Sequence, residues 1–142
     1  MAFEYRSGRR ILQLMPLDKD SADTVAGLAL TEAGATAGYV KEVDAAAEAV
    51  VGIAVSVVAV TGASDGDHSV LVDVSTESIY EVGPDAGSIA QSINNNTLDV
   101  GATGLTIDID GSSTDDIEVV RVDVTANKAW VRIKRSALGG VA

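Results

Sequence analysis

Residues 50–82 read VVGIAVSVVAVTGASDGDHSVLVDVSTESIYEV, and the fold turns on how this stretch is read. Its first part, Val50 to Val60, is almost wholly apolar and rich in valine. Branching at Cβ makes such residues stiff in a helix and at home on a pleated strand. Gly52 and Ser56 interrupt the run without adding charge. The second part begins with alternation: Val70, Val72 and Val74 share one face, Leu71 and Asp73 the other. Between them, Asp65-Gly66 supplies residue types that tolerate the positive φ of a turn between antiparallel strands. The reading is a long hairpin at the hydrophobic centre of a small β domain.

The rest of the chain is consistent with that centre. It has 142 residues, the size of one domain, and 46% are hydrophobic, most of these alanine and valine. Aromatic residues are only 4%, so the core is built from small branched side chains. Fourteen glycines and two prolines suit many short strands and turns. Thr24 to Leu30, Ala37 to Val43, Leu98 to Val100, Leu105 to Ile109, Ile117 to Val124 and Trp130 to Lys134 read as further strands. Thr125 to Lys128 has the length of a tight connection between the last two. Asp44 to Ala49 and Ser88 to Ile93 each have room for a helical turn, with Ile89 and Ile93 on one face of the second. The predicted fold class is all-β: a small antiparallel β-barrel or sandwich with an extended N-terminal arm and little helix. Residues 1–20 are the arm, 21–135 the single β-barrel domain, and 136–142 a flexible C-terminal tail.

Charge is unevenly spread. The net charge is −11. From Glu42 to Val120 there is no lysine or arginine, while the bases gather toward the ends: Arg6, Arg9 and Arg10, then Arg121, Lys128, Arg132, Lys134 and Arg135. An acidic body disfavours nucleic acid as a partner, since phosphate contacts need cations. No apolar run reaches the ~20 residues of a membrane-spanning helix, and no signal-peptide order is present. The expectation is a soluble protein made in the cytoplasm, with no nucleic-acid or membrane partner. Absence of cysteine excludes disulfides, thiolate zinc sites and cysteine nucleophiles.

The arm carries large side chains for a free terminus: Phe3 (the only phenylalanine), Tyr5, Ile11, Leu12, Leu14, Met15 and Leu17. Phe3, Tyr5, Arg6, Arg9 and Arg10 form a set of the aromatic and arginine types that dominate interfaces. Two readings stand: a docking arm, removable without unfolding the domain, or an edge strand with Ile11 to Leu14 paired in the sheet.

Two motifs invite chemistry. Gly62-Ala63-Ser64-Asp65-Gly66 matches the G-x-S-x-G pattern of a nucleophile elbow, with the only histidine, His68, close behind. An elbow needs a helix next, whereas a strand follows here. Asp108-Ile109-Asp110-Gly111 has a flavour of a calcium loop, but the glycine comes fourth rather than sixth. No catalytic residue, metal or cofactor is expected, and the chain reads as structural rather than enzymatic. A small serine hydrolase using Ser64 is the least favoured alternative.

The order GYVKEVDAAAEAVVGIAVSVV, then DGDHSVLVDVSTESIYEV, then VVRVDVTANKAWVRI resembles the small capsid decoration, or cement, proteins of tailed bacteriophages. The likeness covers residues 38–134. It implies a β-barrel on the outer surface of an icosahedral capsid, bound to the major capsid protein and bridging neighbouring capsomers, often as a homotrimer. It also implies a virion location and no catalytic residues. Phe3, Tyr5, Arg6, Arg9 and Arg10 would then form the capsid-binding arm. A tail or baseplate β-module of the same kind of virion is the alternative.

Overall fold

A computed structural model describes residues 2–33, 38–45, 48–61, 64–112 and 116–134. The fold is all-β and sandwich-like, built of two antiparallel sheets. In chain order the strands are β1 (Glu4–Ser7), β2 (Leu12–Pro16), β3 (Ala29–Glu32), β4 (Val40–Glu42), β5 (Val50–Ala54), β6 (Ser69–Asp73) and β7 (Ile79–Val82). A 3₁₀ turn, Gln91–Ile93, precedes β8 (Thr97–Val100), β9 (Ile107–Asp108), β10 (Ile117–Asp123) and β11 (Lys128–Ile133). One sheet has the order β1-β7-β11-β10-β8-β9, the other β2-β6-β5-β3-β4.

The central stretch folds largely as its pattern dictates. β5 and β6 pair antiparallel, Ile53 opposite Asp73 and Ala54 opposite Val72. Every residue of β5 is buried, because both faces of its sheet are covered. Val50 and Ile53 enter the core between the sheets, with Tyr80, Val82, Ile107, Ile117, Val119 and Val131. Val51 and Ala54 enter a second core on the sheet's other face, with Met15, Leu17, Leu30, Val70 and Val72. The five-stranded sheet curls far enough for its two outer strands to meet at one point, a parallel bridge from Leu17 to Val40. This is how a chain poor in aromatics buries so many small side chains.

Three expectations need correction. The strand stops at Ala54 instead of running to Val60: Val57 is 75% exposed, and only Val58 bridges, to Thr24. The connection to β6 is therefore a long loop, although Gly66 does take the left-handed conformation (φ +82°). Asp73, on the same face as Leu71, is fully buried. Ile79–Val82 leaves the hairpin for the other sheet, beside β11 and β1. The turn at residues 125–128 forms as expected, with Asn127 at φ +58°, and Ile89 and Ile93 are both buried beside the 3₁₀ turn. The expected helical turn at Asp44–Ala49, the middle of the Gly111–Asp115 loop and the C-terminal tail lie wholly or partly outside the described residues.

Residues 4–16 form an edge strand in each sheet. β1 pairs with β7, and β2 pairs with β6 over its whole length. Gly8, at φ +94°, turns the chain between them, and a Cβ there would overlap the Glu77 carbonyl. The edge-strand reading thus describes this segment, and Phe3 is a core residue, only 3% exposed.

Candidate functional site

Three places were marked by sequence or stand out in structure: the N-terminal crossover, the outer face of the six-stranded sheet, and the two loops with catalytic or metal-like motifs.

The crossover is organised by Asp73 at the end of β6. Its buried carboxylate accepts the Tyr80 hydroxyl at 2.6 Å, the Ser75 N–H at 3.1 Å and the Ile11 N–H at 3.2 Å. Arg10 Nε lies 3.6 Å away, an ion-pair contact too long for a hydrogen bond. The Arg10 guanidinium sits 4.0 Å over the Tyr5 ring, and Tyr5 and Phe3 each meet Tyr80 edge-on. Burial, then the Asp73 carboxylate, pushes the Tyr80 hydroxyl well above the ordinary tyrosine range. Tyr5, Arg10 and Phe3 from the expected docking set are thus engaged in joining the two sheets. Arg9 is exposed, and its carbonyl accepts from Ser75 Oγ. Asp73 and Tyr80 are the partners that sequence reading missed; alternation put Asp73 on the face of Leu71, and nothing local marks it as buried.

The outer face of the six-stranded sheet follows from the β10–β11 register. Ile117, Val119 and Val122 pair with Ile133, Val131 and Ala129. The first two pairs are buried, and Val122 packs partly buried against the same core. A bulge between Val119 and Arg121 shifts the alternation of β10 by one residue, so Glu118, Arg121 and Asp123 pair on the opposite face with Arg132, Trp130 and Lys128. Trp130 is also opposite Glu81, and Glu81 opposite Glu4. Arg6 reaches Glu81 and Glu4 at 2.8 Å, Lys128 lies 3.9 Å from Glu81, and Arg132 Nε bonds Glu118 at 2.7 Å. The hydrogen bond to Glu81 raises the Arg6 pKa further above its usual value. Arg121 stacks 4.7 Å over the ring of Trp130, the single tryptophan. Bases from opposite ends of the sequence therefore meet on one face. Arg6, Arg121, Lys128 and Arg132 are matched there by Glu4, Glu81, Glu118 and Asp123, and the face is charge-balanced on a strongly acidic protein.

The remaining motifs resolve as turns. Ser64 N–H donates to Asp67, and the Gly66 N–H reaches back to the Leu17 carbonyl. His68 Nε2 accepts the Thr61 N–H at 3.2 Å, and β6 follows instead of a helix. Gly62 and Ala63 of the elbow pattern lie outside the described residues. Asp108 caps its own turn by accepting the Asp110 N–H. Among the described residues no His, Asp and Glu group is arranged to hold a metal ion. No helix in them is long and apolar enough to cross a membrane. No family model, curated protein or solved structure matches this chain.

Proposed function

We propose that this chain is a structural virion protein that binds the outer surface of an icosahedral phage capsid and stabilises it by bridging neighbouring capsomers. The observation that carries the reading is the charge-balanced face around Trp130. On a protein of net charge −11, most surfaces repel an acidic partner at long range. The Trp130 face does not, and it combines a half-buried tryptophan with a stacked arginine, the residue types that anchor interfaces. Arg6 contributes to it from the N-terminal segment, and Arg9 stands exposed nearby in sequence. The partner is the major capsid protein, and on the shell the chain assembles as a homotrimer at local three-fold positions. It is made in the host cytoplasm, carries no enzyme activity and needs no cofactor, nucleic acid or membrane. The resemblance of residues 38–134 to capsid decoration proteins and the two-sheet β fold support the same reading.

The test is co-sedimentation of the purified protein with expanded capsids that lack it. Attachment should raise the temperature at which the capsids break. Arg121→Glu should weaken attachment about tenfold or more by reversing one charge and removing the stack on Trp130, with the fold unchanged by circular dichroism. Binding to isolated tails but not to capsids would assign the module to the tail instead, and binding to neither would sink the proposal.

A further inference from the structure

Arg121 is the one base of the Trp130 face that meets no carboxylate among the described residues. The other three are engaged. Arg6 lies 2.8 Å from both Glu4 and Glu81, Lys128 lies 3.9 Å from Glu81, and Arg132 is bonded to Glu118. The remaining acid of the face, Asp123, stands opposite Lys128 and accepts the Ala126 N–H at 3.0 Å. Arg121 is exposed and rests on the ring of Trp130, 4.7 Å away. Both strands that carry this pair are described over their whole length.

A guanidinium in that setting is prepared for one kind of contact. Stacking occupies its flat side and leaves the N–H groups along its edge, a fork that matches a carboxylate in shape and charge. The stack also restrains a long side chain, so less freedom is lost when a partner binds. The row across the sheet adds direction. Glu4, Glu81, Trp130 and Arg121 stand opposite one another in turn, on β1, β7, β11 and β10. A carboxylate that arrives over β1 and β7 meets two acids whose charge is already shared with Arg6 and Lys128. Over β10 it meets the uncompensated base.

We infer that Arg121 receives an aspartate or glutamate carboxylate from the surface of the partner, with Trp130 as the positioning residue that holds the guanidinium in place. That the partner is the capsid protein rests on the reading above. A lysine or arginine brought to the same spot would meet like charge, so the contact sets the register of the partner as well as its sign.

Two measurements on the full chain test this. The first needs no partner. Trp130 is the single tryptophan, so its fluorescence reports the stack, and the emission should change with Arg121→Gln but not with Lys19→Gln. Lys19 lies beside Asp20, outside this face, and controls for the lost charge. The second is co-sedimentation with expanded capsids that lack the protein, at ~50 and ~300 mM NaCl, on either side of physiological screening. Arg121→Gln should weaken attachment about tenfold at the lower salt and about threefold or less at the higher, as salt screens the lost ion pair. Arg121→Lys should keep the salt dependence and recover part of the affinity, since an ammonium lacks the planar fork. Lys19→Gln should stay within about twofold of wild type. Capsids that take up wild type and Arg121→Gln alike would overturn the inference and leave the capsid reading standing. So would a loss of equal size at both salts, because an apolar contact would then cover Arg121. Emission unmoved by Arg121→Gln would overturn the role of Trp130. A wild type that no capsid takes up would remove the capsid reading and the inference with it.

Discussion

Removing the Asp73 carboxylate tests whether the crossover is what fixes the first 16 residues to the domain. Asp73→Ala leaves the buried Tyr80 hydroxyl and the Ser75 and Ile11 N–H groups without their acceptor. A buried group that loses its partner costs about 1–3 kcal/mol. The Tyr80 hydroxyl and the Ser75 N–H are dry and take the full penalty, whereas Ile11 is half exposed and water can replace the lost bond. Arg10 adds little, because its side chain is a third exposed and its contact is long. The expected loss is about 4 kcal/mol, a large share of the ~5–15 kcal/mol of a typical domain. Tyr80→Phe alone should cost only about 1–1.5 kcal/mol, since its carboxylate partner keeps two other donors. In the double variant the losses should fall short of their sum by about 1 kcal/mol or more, because no hydroxyl is then stranded. Urea unfolding with an unchanged slope is the measurement. A loss below about 1 kcal/mol for Asp73→Ala, or strict additivity with Tyr80→Phe, would refute the reasoning.

Stability should also respond to alkaline pH through Tyr80. Its pKa in the fold is raised by burial and by Asp73, so the protonated hydroxyl is the form the fold favours. Its contribution is complete below the unfolded value of ~10 and is lost as pH climbs from there toward the folded value. Urea midpoints for wild type should fall above pH ~10 more steeply than for Tyr80→Phe. Phe3→Ala should cost about 3–5 kcal/mol in the same assay, because Phe3 is buried between the sheets and meets Tyr80 edge-on. A loss under about 1 kcal/mol would mean that the N-terminal residues do sit loosely on the domain, as a detachable arm would.

Legibility followed the physics of each segment. β10, β11 and the turn at Asn127 were visible because an alternating strand with one buried face writes its geometry into the sequence. β5 was visible as a strand but not in length. A run buried on both faces carries no alternation, so nothing in VVGIAVSVVAV marks where Ala54 ends the pairing and Val57 turns to solvent. The burial of Asp73 was illegible for a different reason: alternation gives a side, not what covers it. Leu71 and Asp73 do share a face, and the N-terminal crossover then covers Asp73 alone. The Trp130 face was half legible. The bases at the two ends of the chain were plain, but their acidic neighbours come from register across four strands, which no local window contains.

Residues 4–16 pass from one sheet to the other and supply both Arg6 on the face and Leu14 on the edge. Their strand partners lie about 55 to 75 residues later, in β6 and β7, so these pairings close long loops and belong late in folding. Until they form, β6 and β7 present the unpaired edges. Once they form, β1 and β2 cover those edges, and the contacts of Asp73 with Tyr80 and Ile11 hold the crossover in place.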